Sequence, residues 1–565
     1  MRSRKGPFSV RAVWAIPALA LISIVLGVWG WMSLGADLDT ALYNSVGLFN
    51  NGNGVYYDSP SLADWHIRLA RWGGVVVLFS AALVAVASLL HQRVSTTVAR
   101  WTRQSVAVIG GDPLSITAFE AARAVGRSSL WLGAPVFGSP SLQVIALPWP
   151  PQDRAKAVID HAGGADHILV ANADDAEALA LTRAARASSP KGYVTVLMRD
   201  ARLAEDAAAT LNQAKTRVLS HAAIAARSLS IAHPPFLIAK ERRHARIHAL
   251  IIGFGQSGQA IARDLIVNCR TTYLALPRLT VIDPNARALE AVLRVRAPEI
   301  DACAETLFID GQISGLNVHP GPSGIAAALA GAGPVTAAYV CLATDAEALS
   351  AAAMLQSLLR SIDLEAPPIF VRVREVNAID PGGKADRGLD ALKPFGDQAS
   401  ILAASEFLSD SPDAAARAFC EAYRATLSPE ERDDPTNRSA FPWDRLDETY
   451  RQANRDAVAH IPAKLASAGI GEALWRGAHG LPKLPRTERL FRSDTQLEAL
   501  AELEHERWNA QRRMDGWRWT PQPKKDEVRR THPSLTPYEN LADNVKEYDR
   551  AYIRQTQRAC CGELG

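Results

Sequence analysis

The sequence predicts an α/β protein built of two transmembrane helices, tandem doubly wound parallel sheets and a small, mainly helical C-terminal module. Three observations predict it. Two long uncharged apolar segments open the chain, the order strand, glycine turn, helix then occurs twice, and a helical stretch rich in Trp, Arg and Lys closes it. The 565 residues leave room for roughly three or four domains.

The apolar segments are Val13–Leu34 and Trp72–Leu90. Each is near the ~20 residues that span a bilayer as helix. Arg2, Arg4, Lys5 and Arg11 precede the first, and Arg93, Arg100 and Arg103 follow the second. The intervening loop carries Asp37, Asp39, Asp58 and Asp64, with Arg68 and Arg71 only at its end. The positive-inside rule then places both termini in the cytoplasm of a multi-pass inner-membrane protein. A cleaved signal peptide is the alternative for the first segment, but it is long for one and no clear small-x-small cleavage site precedes its Trp-rich end. A buried helix is the alternative for the second.

The net charge of +3 gives no ground to expect nucleic acid as a partner. Cys269, Cys303, Cys341, Cys420, Cys560 and Cys561 show no paired ligand spacing. Reduced thiols and no metal site are expected.

Between the spans, LDTALYNSVGLF is a short apolar helix candidate followed by Asn50-Asn51-Gly52-Asn53-Gly54. The layout resembles a potassium-channel pore module, which makes Asn51, Gly52, Asn53 and Gly54 the pore-loop candidates. A potassium filter needs a TVGYG-like run of carbonyls, and this segment departs from it. A degenerate or non-conducting pore and an ordinary polar turn stay open.

After Arg103 the chain alternates strands and helices. SVAVI (Ser105–Ile109) leads into Gly110-Gly111-Asp112 and a helix; further strands are read at Ser129–Leu132, Leu142–Leu147, His167–Ala171 and Tyr193–Met198. The order recurs from His248–Ile252 through Gly253-Phe254-Gly255-Gln256-Ser257-Gly258 to a helix ending at Leu265. Strands at Leu279–Ile282, Leu307–Ile309, Ala338–Leu342 and Ile369–Val373 follow, the first closing on Asp283. This is the Rossmann-like dinucleotide fingerprint in context. The first glycine makes the turn, the second admits the phosphate, the third packs helix on strand. The candidate cofactor residues are Gly253, Gly255, Gly258, Asp283, Asp310, Thr344 and Asp345, and the candidate cofactor is NAD or another adenine nucleotide. The alternative is a fold relic that binds nothing.

Ala165–Arg186 and Ala337–Arg360 repeat one pattern, a strand followed by an acidic pair and a helix. On these stretches and the glycine turn, the two units resemble tandem TrkA-N domains of the RCK type over Ser105–Phe407. The resemblance implies ligand-controlled regulation, nucleotide binding and dimer or ring assembly. The first unit departs from the family at Asp112-Pro113, which replaces the later glycine. The expected boundaries are 1–103 for the membrane module, 104–240 and 241–407 for the two units, 408–490 for a helical region and 491–565 for the last module.

In Leu503–Gln555, Trp508, Trp517 and Trp519 lie among Arg507, Arg512, Arg513 and Arg518. His505-x-x-Trp508, Gly516-Trp517, His532-Pro533 and Tyr538-x-x-Leu541 make this stretch resemble the RyR domain. Trp443–Leu446 followed by Asn454-Arg455 echoes Tyr538–Leu541 followed by Asp549-Arg550 at a constant offset of 95 residues, so Phe441–Gly469 reads as half of a second copy. Guanidinium groups beside aromatic rings suit a planar anion. The candidate ligand residues are Arg507, Arg512, Trp517, Trp519, Lys524, His532 and Tyr538; packing and a phosphopeptide site are the alternatives. No acid/base constellation suggests an enzyme, and His221, His233, His244 and His248 read as structural.

Together these readings describe a ligand-regulated membrane protein related to potassium channels. Its nucleotide-like ligand would act on the second span through Arg93–Gln104. Two spans cannot enclose a pore, so a homo-oligomer is required, with a tetramer expected. The alternatives are a nucleotide-messenger effector without a selective pore, a membrane-anchored NAD-dependent enzyme and a non-conducting scaffold.

Overall fold

The computed structural model describes residues 10–49, 65–101, 103–134, 144–150, 153–211, 215–330, 332–361, 366–374, 392–475, 481–485 and 487–562. The pore-loop candidates Asn51, Gly52, Asn53 and Gly54 lie outside the described residues.

The chain opens with α1 (Val10–Ser33), α2 (Leu38–Gly47) and α3 (Trp65–Trp101). Ile16–Ser33 and Trp65–Leu83 are long and apolar enough to cross a membrane. Small residues let these helices approach closely. A Cβ on Gly73 would lie 2.1 Å from the Ser23 hydroxyl, and one on Gly27 would lie 2.7 Å from the Ser45 hydroxyl of α2. Both hydroxyls donate within their own helices, Ser23 to Leu19 O at 2.8 Å and Ser45 to Ala41 O at 2.6 Å. Leu21, Trp29, Phe79 and Leu83 face outward. The connector expected at Arg93–Gln104 is mostly helix, because α3 runs unbroken for 37 residues to Trp101. At ~1.5 Å per residue that is a rod of about 55 Å.

The first unit holds β1 (Val106–Ile109), α4 (Pro113–Ala124), β2 (Ser129–Leu132), β3 (Val144–Leu147), α5 (Arg154–His161), β4 (His167–Ala171), α6 (Asp175–Ser188), β5 (Tyr193–Met198), α7 (Ala201–Thr210) and β6 (Thr216–Ser220). They form one parallel sheet in the order β3-β2-β1-β4-β5-β6. Its inner strands β1, β2, β4 and β5 are mostly apolar and buried, as a sheet covered on both faces requires. Next come α8 (His221–Ala232) and α9 (Pro235–Glu241). Their combined stretch His221–Glu241 is also long and apolar enough to span a membrane. It is interrupted at His233-Pro234 and packs inside the protein instead.

The second unit repeats the plan with β7 (Arg246–Ile252), α10 (Gln256–Asn268), β8 (Ala275–Asp283), α11 (Ala286–Arg296), β9 (Glu305–Asp310), a small hairpin of β10 (Gln312–Ile313) and β11 (Val318–His319), α12 (Pro322–Ala330), β12 (Ala337–Val340), α13 (Asp345–Ser361), β13 (Ile369–Arg372) and β14 (Lys393–Phe395). Its parallel sheet runs β14-β13-β12-β7-β8-β9. The sequence reading lacks β6 and β14, the outermost strands on one side of each sheet. Lys393-Pro394-Phe395 is three residues long with a central proline, which suits only an edge.

The two units exchange helices. Ala225, Ala226 and Leu229 of α8 and Phe236 and Leu237 of α9 belong to the core of the second sheet. In return, α14 (Gln398–Ser405) gives Ile401 and Leu402 to the core around β1 and α4. Each sheet is therefore covered by a helix that follows the other.

The C-terminal region comprises α15 (Ala414–Thr426), α16 (Pro429–Asp433), α17 (Glu448–Ala459), α18 (Ile461–Ser467), α19 (Asp494–Met514), β15 (Arg518–Trp519), β16 (Thr531–His532) and α20 (Asp543–Cys560). The repeat is realised in three dimensions. The 3-10 turns Trp443–Arg445 and Tyr538–Asn540, and the first residues of α17 and α20, all differ by 95 residues. In both copies the second helix packs on the one before the turn, α17 on α15 and α20 on α19. The earlier copy thus starts at Ala414, upstream of the half expected from Phe441. Ionic contacts fasten both copies to the units: Arg217 of β6 and Arg455 of α17 share Asp413, at 3.1 and 2.9 Å, and Arg513 of α19 pairs with Glu299 at 3.0 Å.

Candidate functional site

The glycine turn of the second unit sits at the point where strand order reverses, between β7 and β12, where doubly wound sheets place their ligands. Its three glycines have separable jobs. Gly253 has φ +84° and a Cβ there would lie 2.8 Å from Cys341 O. Gly258 packs against the turn, where a Cβ would lie 2.3 Å from Gly253 O. Gly255, the N-cap of α10, has φ −71° and nothing within 4 Å of its Cβ position. Packing fixes two glycines and leaves the middle one facing open space at a helix N-terminus. Unpaired N–H groups and the positive end of the helix dipole suit a phosphate there.

Asp283 closes β8 beside this turn. It accepts the Phe254 N–H at 2.8 Å and the Asn285 N–H at 2.9 Å, so it first braces the turn. Two carboxylate oxygens have about four acceptor sites, which leaves capacity for ribose hydroxyls. Asp310, at the end of the adjoining β9, accepts the Arg287 N–H at 3.0 Å.

Thr344 and Asp345 have other work. Thr344 and Glu347 cap α13 reciprocally, at 3.2 and 3.3 Å. The Asp345 carboxylate accepts the Arg374 N–H at the end of β13. In the first unit Asp175 likewise accepts the Arg199 and Asp200 N–H groups at the end of β5. The repeated acidic motif therefore ties a helix start to the neighbouring strand end in both units. That is a framework role for a pair that the sequence also offers as cofactor residues.

The first unit's turn is closed to an anion. Asp112 is the N-cap of α4, accepts the Leu114 N–H at 3.1 Å and pairs with Arg199. The protein's own carboxylate stands where a phosphate would. A Cβ on Gly110 would lie 1.7 Å from Ala171 O, so this glycine serves packing.

A second cluster lies between the two C-terminal copies. The Arg512 guanidinium lies over Tyr450 at 5.0 Å, Trp517 at 5.3 Å and Trp508 at 5.8 Å. The residue is 5% exposed, its Nη1 is buried without a hydrogen-bond partner, and no carboxylate pairs with it among the described residues. A buried cation held only by ring faces retains much of its desolvation cost. Lys525 lies 2.8 Å from the Tyr450 hydroxyl, which donates to Glu527 at 2.6 Å. The His532 ring sits 5.0 Å from Trp508. Burial, then the charges of Arg512 and Lys525, push its imidazole down to about 3.

Of the residues read as ligand-binding here, Arg512, Trp517 and His532 come together. Arg507 does not: it is buried beneath the module and paired with Glu504 at 2.9 Å, which also holds Lys464 at 2.8 Å. Tyr538 donates to Glu498 at 2.8 Å, away from this cluster. Trp519 is half exposed, and its backbone N–H donates to Glu299 at 3.2 Å. Lys524 is exposed, and its neighbour Lys525 reaches the ring instead. Sequence reasoning missed Tyr450. Its only signal was the 95-residue echo, which places its helix beside the later copy.

Residues 492–562 match the family model of the RyR domain. No curated protein matches the chain. Among solved structures, the GsuK channel bound to NAD is similar at 14% identity over 73% of this chain and 88% of that one, TM-score 0.34. GsuK bound to ADP is similar at 16% identity over 64% and 88%, TM-score 0.30. The dipicolinate synthase A chain from Bacillus subtilis is similar at 13% identity over 55% and 95%, TM-score 0.22.

Proposed function

We propose that the chain is a membrane-held nucleotide sensor that controls ion permeation as a homo-oligomer, with a tetramer expected. The ligand is NAD or another adenine nucleotide, seated with its phosphates at Gly255. The observation that carries the reading is the open N-terminus of α10, framed by two glycines that packing alone accounts for. The Arg512 cluster is a second anion site, on the RyR-type module. Both termini are cytoplasmic, and α3 carries the second span onward as one helix as far as Trp101, shortly before β1. A ligand shifts such an assembly only by binding one arrangement more tightly than the other.

The test is thermal unfolding of the full chain in detergent against NAD, NADH, ATP, ADP and cyclic nucleotides, followed by ion flux in liposomes. At about 100 times Kd, a ligand specific to the folded state stabilises it by about 2.7 kcal/mol. Arg512→Met separates the sites. It removes an uncompensated buried charge, so the variant stays as stable as wild type or gains, while binding at the module is lost. A nucleotide-activated effector without a selective pore is the second reading, favoured by Asn50–Gly54 in place of a TVGYG-like filter. Flux without potassium preference would select it.

A further inference from the structure

The two units share one plan, and strand register fixes which residues correspond. In the first unit Ile109 of β1 pairs with Val170 of β4, and Val170 pairs with Val196 of β5. In the second, Ile252 of β7 pairs with Val340 of β12, and Val340 pairs with Val371 of β13. Three residues past Ile109 and Ile252 stand Asp112 and Gly255, the N-caps of α4 and α10. Three residues past Val196 and Val371 stand Arg199 and Arg374. The backbone agrees with this correspondence. The Arg199 N–H donates to Asp175 at 3.0 Å, and the Arg374 N–H donates to Asp345 at 2.9 Å.

In the first unit the Arg199 guanidinium pairs with the Asp112 carboxylate. An anion at that helix start is thus held from two sides, by the Leu114 N–H of α4 and by an arginine at the end of the neighbouring strand. The second unit has the arginine without the carboxylate. Arg374 is exposed, and no carboxylate pairs with its guanidinium among the described residues. Its Nη2 reaches only the Ala343 carbonyl, at 3.4 Å. Ala343 lies on the turn between β12 and α13, and the Cys341 carbonyl at the start of that turn borders Gly253. The guanidinium therefore sits at the mouth of the glycine turn with most of its five donors open. Its planar fork matches two oxygens of a phosphate.

We infer that Arg374 is a phosphate-binding residue of the second unit. Its guanidinium holds, across the open start of α10, the ligand phosphate whose place Asp112 fills in the first unit. The inference rests on the nucleotide reading above and adds to it the cation that neutralises the phosphate.

Titration calorimetry of the full chain in detergent with ADP compares wild type, Arg374→Lys and Arg374→Met. Methionine keeps the backbone N–H on Asp345 and removes an exposed head group, so the melting temperature without ligand should not change. The lost charge-assisted pair should weaken ADP by about tenfold or more. Lysine keeps the charge and loses the fork, so its affinity should fall between the two. ADP affinity in Arg374→Met equal to wild type overturns the inference and leaves the nucleotide reading standing. No ADP binding by wild type overturns that reading, and the inference with it. A ligand-free arm tests the geometry alone. Gly255→Asp gives the second unit the carboxylate that the first unit has, and Arg374 should pair with it. Replacing Arg374 by methionine should then lower the melting temperature in the Gly255→Asp background but not in wild type. Equal effects in both backgrounds overturn the inference, whatever the ADP titration shows.

Discussion

Replacing Gly255 with valine should remove nucleotide binding at the second unit and leave the fold intact. A Cβ at this position meets no atom within 4 Å, and φ −71° is ordinary for any residue. The folding cost is then confined to the lost N-cap preference, about 1 kcal/mol. The same side chain stands where phosphate must approach the helix N-terminus. Losing two charge-assisted N–H bonds, each worth about 1.5–3 kcal/mol, costs at least about 3 kcal/mol. That is roughly a hundredfold or more in Kd. Gly258→Ala is the contrast. Its Cβ would lie 2.3 Å from Gly253 O, so it should destabilise the protein by about 1–3 kcal/mol through overpacking. Titration calorimetry with ADP and NAD, paired with thermal unfolding of each full-length variant, separates the two effects. Unchanged affinity in Gly255→Val would refute the phosphate position and direct attention to Arg512. An undisturbed melting temperature in Gly258→Ala would refute the packing account.

Glu504→Gln should be among the most damaging single changes, because Glu504 is fully buried and neutralises both Arg507 and Lys464. Breaking such a pair costs about 3–5 kcal/mol, read as a lower melting temperature and early proteolysis of the C-terminal region. Thr344→Ala should cost about 1 kcal/mol as a lost helix cap and leave nucleotide affinity unchanged; a large loss of affinity would restore Thr344 to the site. Burial holds His221 and His460 down to about 4 and His532 to about 3. The unfolded chain takes up these protons near pH 6.5, the folded one only well below. Stability should therefore fall on acidification from pH 6.5 toward 4, by up to about 1.4 kcal/mol per pH unit for each histidine. His505 opposes the trend, since Asp549, against the effect of burial, raises its pKa. Denaturant midpoints that stay constant from pH 7 to 5 would contradict this.

Local chemistry made the apolar spans, the glycine turn and the doubled strand–acid–helix pattern legible, because each rests on neighbours within a few residues. Length and lack of charge mark a span, and a glycine turn between strand and helix marks the phosphate end of a sheet. The offset of 95 residues likewise announced the second C-terminal copy. The roles of single side chains were not legible. Arg507 and Arg512 lie five residues apart on one helix, yet one is neutralised by a buried glutamate and the other only by ring faces. Lys524 and Lys525 are adjacent, but only the second faces Tyr450. Thr344 and Asp345 follow a strand as site residues do, and their bonds tying the start of α13 to the end of β13 show only in three dimensions. The exchange of α8 and α14 was equally hidden, since amphipathic helices declare an apolar face but not which sheet it covers. The sequence by itself determined most of the elements and the glycine turn, through covalent neighbours and backbone sterics. Only the tertiary structure decided which charges are satisfied and which are left for a ligand, because those partners are brought together from positions tens to hundreds of residues apart.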